Sequence, residues 1–230
     1  MNVIMKQAAD NPRHNQRHNQ KNRPETEAKL VKAVGEVLAE RGFAKLGVNA
    51  VARQAGVDKV RIYRYVDDFD GLMQAYATSS DFWPSSIELL GDAEAREQLK
   101  TMPFAKAFAT VFRRYANALR SRPLTLEILS WETIERNALT VALEEVREEA
   151  GLELMAFLSG ATPPSADWQA IGNIFSVAIH YLAIRSRKIT FFSGMNIADD
   201  EGWERLIKSI EFLVEILPTD NRNKPLTTGN

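Results

Sequence analysis

The sequence predicts an all-α protein of roughly nine or ten helices: a small N-terminal helix-turn-helix domain of three helices, followed by a C-terminal antiparallel helical bundle. Three observations carry this. Strand-like alternation persists nowhere along the 230 residues. Apolar residues instead recur at helical spacing from Leu30 to beyond Trp203. Consecutive helical stretches are joined by short loops, so neighbouring helices should run antiparallel. Hydrophobic residues make up 45% of the chain, enough for a sizeable core.

Residues 1–23 are polar and contain a tandem repeat, Arg13-His14-Asn15-Gln16 and Arg17-His18-Asn19-Gln20. No face here can be buried, so a disordered basic tail is expected. Pro24 opens the first helix, with Glu25 and Glu27 favouring its N-terminus. Leu30, Val31, Val34, Val37 and Leu38 form its stripe, and Gly42 ends it. The stretch Gly47 to Val66, GVNAVARQAGVDKVRIYRYV, reads as two short helices joined by a tight turn. Val48, Val51, Ala52 and Ala55 fall at i, i+3, i+4 and i+7. Gly56 supplies a left-handed residue that stops the helix, and Asp58 caps the next one. In that second helix Ile62 and Val66 point inward. Lys59, Arg61, Tyr63 and Arg64 are left outside, with Val60 beside them. A helix, a glycine-containing turn and a second helix with a basic, aromatic outer face match the helix-turn-helix reader of DNA. Asp67 and Asp68 then cap a fourth helix reaching about Phe82, which Pro84 stops. The expected DNA-binding domain is residues 24–83.

The remainder, 84–218, is also helical in pattern and is expected to form a second domain, with a polar tail at 219–230. Phe104, Phe108, Val111, Phe112 and Tyr115 line one face of a helix from about Pro103 to Ser121. Pro123 starts a shorter helix through Trp131. A long helix from Thr133 to about Ser159 is apolar at Ile134, Ala138, Val141, Ala142 and Val146, with Glu144, Glu145, Arg147, Glu148 and Glu149 outside. After the loop at 160–164, helices at about 166–188 and 199–217 complete the chain. The first of these is apolar on nearly all sides, as expected of a helix packed both in its own bundle and against a second subunit.

Charge divides the chain. Residues 1–66 hold 13 Lys and Arg against 6 Asp and Glu, or +7, while residues 67–230 hold 16 against 24, or −8. A basic N-terminal third on an acidic remainder suits a protein that meets phosphate at one end. There are no cysteines, which removes disulfides, thiolate metal sites and cysteine catalysis. The N-terminus lacks a signal-peptide run, and the longest apolar tract, 170–184, is short and carries Asn173, Ser176 and His180, so a cytoplasmic location without membrane insertion is expected. His180 is the only histidine outside the tail, and no metal-binding spacing surrounds it. Glu127 and Glu132 flank Trp131, but paired carboxylates on a helix usually face water. No glycine-rich phosphate loop occurs. No enzyme, cofactor or metal is expected.

Gly42-Phe43, Val48-x-x-Val51-Ala52, Ala55-Gly56-Val57, Ile62-Tyr63-x-Tyr65 and Leu72 together resemble the tetracycline-repressor (TetR) family of bacterial transcription regulators, over Glu25 to about Ala77. Three positions depart from that pattern. Gly47 stands where a capping Thr or Ser is usual, Val66 replaces a usual Phe, and Phe69 sits where a phosphate-binding Lys is common. The resemblance implies a dimeric, ligand-responsive regulator, most often a repressor, binding an inverted-repeat operator of double-stranded DNA. DNA contact is expected from Lys59, Arg61 and Tyr63, with Val60, Arg64 and Tyr65 beside them. Arginine on a guanine edge is the most discriminating of these contacts. The resemblance also implies that the last two helices form a four-helix interface with their symmetry mates. Ile174, Ala178, Leu182, Trp203 and Ile210 are the interface candidates for such a homodimer, and a wholly internal core helix is the alternative.

An effector pocket, for a small molecule the sequence does not identify, is expected in the second domain. Aromatic residues concentrate there at Phe82, Trp83, Phe104, Phe108, Phe112, Trp131, Phe157 and Phe175, most of them plain core. The candidates for the pocket are Phe104, Phe108, Phe112 and Trp131, with the polar stripe Asn173, Ser176 and His180 at i, i+3 and i+7. That stripe faces the pocket, crosses the dimer axis or holds a water, since buried polar groups need partners. A different class of function, an all-α small-molecule-binding protein whose reader has lost DNA affinity, is suggested by Phe69 and the acidic run Asp67 to Asp70.

Overall fold

Helix α1 spans Arg23–Arg41 and opens the N-terminal unit in the computed structural model, which describes residues 23–65, 68–79, 82–160 and 166–217. The tandem repeat, Val66, Asp67 and the C-terminal tail lie outside the described residues. The chain divides into two compact units, Met1–Tyr76 and Ala77–Asn230.

In the first unit Leu30, Val34, Val37 and Leu38 of α1 are buried, while Val31 is only half-buried. Gly42 closes the helix at φ 73, a conformation that glycine adopts without strain. A single 3-10 turn, Phe43–Lys45, buries Phe43. Helices α2 (Val48–Ala55) and α3 (Lys59–Tyr65) both pack on α1. Helix α4 covers Phe69–Ala77, with the Asp68 carboxylate accepting from the Gly71 N–H at 2.7 Å. It ends earlier than the expected Phe82. Phe82 and Trp83 are buried in the second unit instead, where the Phe82 carbonyl accepts a hydrogen bond from the Thr125 hydroxyl at 2.5 Å.

The second unit is a helical bundle: α5 (Ser86–Leu90), α6 (Ala93–Thr101), α7 (Phe104–Arg120), α8 (Pro123–Glu132), α9 (Ala138–Ser159), α10 (Trp168–Ser186) and α11 (Asp200–Ile216). Helices α5 and α6 were not expected individually. Both carry N-terminal signals: Ser85 and Glu88 form a reciprocal capping box, and Asp92 accepts from the Ala95 N–H. Helix α9 begins five residues later than the expected Thr133. Asn137 and Thr140 cap each other there, and Ile134, expected on the apolar face, stands 76% exposed.

Helix α7 is the hub of the unit and packs against α11, α5, α10, α8 and α6. Phe108, Val111, Phe112 and Leu119 are completely or almost completely buried. A minimal hairpin, β1 (Phe191–Phe192) with β2 (Met195–Asn196), precedes α11. Its two turn residues, Ser193 (φ 47) and Gly194 (φ 81), both have positive φ, as tight hairpins with the right-handed strand twist require. Gly202 seats α11 on this hairpin. A Cβ there would lie 1.4 Å from the Asn196 carbonyl oxygen, so only glycine fits. Beside it the Trp203 indole N–H donates to the Ile197 carbonyl at 2.8 Å.

Candidate functional site

Two sites emerge, one in each unit. In the first, α2 ends in a pair of backbone bonds that set the turn. The Val57 N–H donates to the Ala52 carbonyl at 3.0 Å and the Gly56 N–H to Arg53 at 3.3 Å, with Gly56 left-handed at φ 65. This Schellman pattern satisfies carbonyls that would otherwise lack partners. The Asp58 carboxylate then accepts from the Val60 N–H at 3.1 Å and starts α3. Ile62 is fully buried and anchors α3 inward. That anchoring leaves Lys59, Val60 (68% exposed) and Tyr63 (47% exposed) on the outer face. Arg61, Arg64 and Tyr65 lie on the same helix; their side chains are outside the described structure. Gln54 of α2 donates to Glu36 of α1 at 2.9 Å, tying the first reader helix to its support. Gly47 makes no side-chain cap, as its place in the sequence implies.

The second site is a cavity of about 580 Å³ bounded by residues of α8, α9 and α10 together with Trp83, Leu89 and Tyr115. Of the residues expected to line a pocket, Asn173, Ser176 and His180 do so. Phe104, Phe108, Phe112 and Trp131 do not. Phe108 and Phe112 stack on each other at 4.5 Å inside the core, and Phe104 packs edge-on against Trp168 at 4.6 Å. Trp131 points its indole N–H at Glu127, 3.2 Å away. Phe104, Phe108 and Phe112 stand apart from the cavity because α7 presents its aromatic stripe to its helical neighbours, which cover it from several sides.

Residues that the sequence reading placed elsewhere take part. Arg147, expected outside with the glutamates around it, is turned inward and pairs with Glu132 at 2.6 Å. Glu127 pairs with Arg187 at 3.0 Å, so neither carboxylate flanking Trp131 simply faces water. A lone arginine among Glu144, Glu145, Glu148 and Glu149 was the only sequence signal, and it could not say which side of α9 turns inward. Deeper in the cavity the Tyr115 hydroxyl is hydrogen-bonded to Nε2 of His180. The Trp83 ring lies 5.9 Å from the imidazole, edge-on, and 6.0 Å from the Tyr115 ring. His180 is half-buried as a residue, but its ring is enclosed by these aromatics. Desolvation, helped by the nearby Arg147 charge, pushes its pKa down to about 4, so it is neutral at physiological pH. Burial pushes the Tyr115 hydroxyl up, with Arg147 opposing.

The interface candidates divide. Ile174 is 66% exposed and Ala178 is half-buried, but Leu182, Trp203 and Ile210 are core. The last two face inward because α11 lays its apolar stripe on α7, where the Arg120 guanidinium also covers the Trp203 ring at 5.1 Å. The exposed apolar residues on these two helices are instead Ile174, Val177 and Tyr181 of α10 and Phe212, Leu213 and Ile216 of α11. A second groove of about 540 Å³ follows α7 and α11, but its charges are matched internally, Arg113 with Glu204 at 2.9 Å and Arg120 with Asp200 at 2.8 Å. No helix among the described residues is long and apolar enough to cross a membrane.

No curated protein matches the chain by sequence. Solved structures that share its fold include two at comparable coverage. One is the fatty acid degradation regulator FadR from Bacillus halodurans, with 16% identity, TM-score 0.55, and coverage of 82% of this chain and 94% of that one. The other is a TetR-family transcriptional regulator from Haemophilus influenzae, with 15% identity, TM-score 0.50, and coverage of 82% and 96%. Residues 30–76 match the family model of bacterial regulatory proteins of the tetR family, the stretch that holds most of α1, the turn at Gly56 and α3. By that match the N-terminal unit carries the DNA-binding region of the tetR family.

Proposed function

We propose that this chain is a transcriptional repressor that binds an inverted-repeat operator as a dimer and is released when a small molecule enters the cavity of the second unit. The observation that carries the reading is the outer face of α3. Buried Ile62 fixes the helix so that Lys59, Val60 and Tyr63 stand free beyond a glycine turn of reader geometry. Lys59 and Arg61 supply cations for phosphates and guanine edges, Tyr63 a hydroxyl for phosphate, and Val60 an apolar contact for a thymine methyl. Arg64 and Tyr65 extend the same helix.

The exposed apolar residues of α10 and α11 support pairing with a second copy, which would place two readers about one helical turn, roughly 34–36 Å, apart on DNA. Phe212→Asp should then weaken self-association in sedimentation without unfolding the chain, because Phe212 is 60% exposed. Effector control needs little energy: a coupling of about 1–3 kcal/mol changes operator affinity 5- to 150-fold. Trp83 suits the transmission. It lines the cavity and lies on the stretch of chain that joins α4 to α5.

Selection of sites from random double-stranded DNA by the full chain tests the reading. A palindromic consensus is the expected outcome. No enrichment over input DNA would leave the second reading, a small-molecule-binding protein without DNA affinity.

A further inference from the structure

The cavity holds one cation beside a neutral hydrogen-bonding pair, and that arrangement selects a chemistry. Arg147 pairs with Glu132 through one N–H of its guanidinium, at 2.6 Å. A guanidinium carries five N–H donors in a planar fork, so a single such contact leaves most of the fork available. Arg147 is also the charge that acts on both members of the inner pair, Tyr115 and His180. Glu148, the other carboxylate of the lining, is exposed. The inner end therefore offers the remaining guanidinium N–H donors of Arg147 beside a neutral pair, with Glu132 held by that same guanidinium. Hydroxyl and amide donors stand on α10 at Ser176 and Asn173. The lining also carries apolar side chains, Trp83, Leu89, Leu129, Leu154 and Ile184. A volume of about 580 Å³ falls within the roughly 300–1,000 Å³ of small-molecule sites.

We infer that the effector is a hydrophobic monocarboxylate, its carboxylate received by the free edge of the Arg147 fork beside Ser176 and its apolar body against Trp83, Leu129 and Leu154. The inference rests on the reading of this cavity as the effector site. A cationic ligand is disfavoured there because it would sit against Arg147, whose own carboxylate partner is already engaged. A fully neutral ligand would leave the fork unused and give no selectivity for charge.

The test uses the full chain and three probes of one shape: 2-naphthylacetate, its primary amide and 2-(2-naphthyl)ethylamine, titrated calorimetrically at pH 7.5. The carboxylate should bind at least about tenfold more tightly than the amide, since a charge-assisted bond to arginine replaces a neutral one. The amine should be the weakest. Arg147→Gln combined with Glu132→Gln removes the pair without leaving an unmatched carboxylate. It should erase the preference, bringing carboxylate and amide affinities to within about twofold of each other. Amide or amine binding as tightly as the carboxylate to the wild-type protein overturns the carboxylate assignment but leaves the cavity as a ligand site. An undiminished carboxylate preference in the double variant also overturns it. Failure of all three probes to bind the wild-type protein overturns the assignment and removes support for the cavity as well. The wild-type comparison decides the question even if the double variant does not fold.

Discussion

The two units use polar side chains in opposite ways. The N-terminal unit keeps its core apolar and turns Lys59 and Tyr63 outward from α3, where they meet a partner only when one arrives. The C-terminal unit draws Tyr115, His180, Arg147 and Glu132 in around a cavity, where each has a partner within the same unit. The difference teaches which kind of site a sequence shows. An exposed site is the complement of an apolar stripe and follows from helical period. A buried polar site interrupts such stripes on several helices at once, and its members find each other only through packing.

The sharpest way to break this comparison is in the core that was expected to line the pocket. Phe108→Ala should destabilise the protein by about 3–5 kcal/mol in denaturant unfolding, because it leaves a cavity in a filled interior. Val60→Ala on the reader should change stability by no more than about 0.5 kcal/mol. Unchanged stability in Phe108→Ala with lost ligand binding would return Phe108 to the pocket.

A second test concerns pH. The His180 pKa is lowered in the folded protein to about 4 from an ordinary 6.5. Between these values the unfolded chain binds the extra proton, so stability is full above about pH 6.5 and falls as pH drops toward 4. The loss attributable to this one group is at most roughly 3–4 kcal/mol. Thermal unfolding of wild type and His180→Gln across pH 4–7.5 should show a difference that is constant above about pH 7 and changes as pH falls toward 4. Parallel curves would mean that the ring is not held neutral by its surroundings.

On the reader, Arg61→Ala should cost about 1–3 kcal/mol in operator binding and relax base preference at one position per half-site. Site selection with the variant measures both. Uniform weakening with an unchanged consensus would make Arg61 a phosphate contact alone.

The smallest effect expected is at Gly47. Its φ of 179 is ordinary extended backbone, and nothing lies within 4 Å of where a Cβ would stand. Gly47→Ser should therefore cap α2 and raise stability by a few tenths of a kcal/mol. A decrease would show that the open capping position serves something other than the helix.

How far each unit was legible follows from particular residues. Val51, Ala52, Gly56, Asp58 and Ile62 act within about fifteen residues of one another, and their roles are local: stripe, stop, cap and anchor. Each role has a spacing that the chain itself displays. In the second unit local rules were enough for α7, α8 and α11, whose stripes, leading proline and capping Asp199 give their positions to within a residue or two. They were not enough for α9, where Thr133 and Asn137 both suit a start and the reciprocal cap between Asn137 and Thr140 decides the matter.

The sequence by itself determined the all-α fold, the reader turn and its exposed face, because helical period, a left-handed glycine and a capping aspartate act over one or two turns. Tertiary structure alone decided that Phe108 and Phe112 are core while Arg147 and Trp83 belong to the cavity. It also decided that α11 buries Trp203 and Ile210 yet exposes Phe212 and Leu213. The physical reason is that α9 and α10 carry apolar or mixed residues on more than one face, so period restricts them too little. Which face turns inward is settled by neighbours far away in sequence: Tyr115 for His180, at a separation of 65 residues, and Glu132 for Arg147, at a separation of 15.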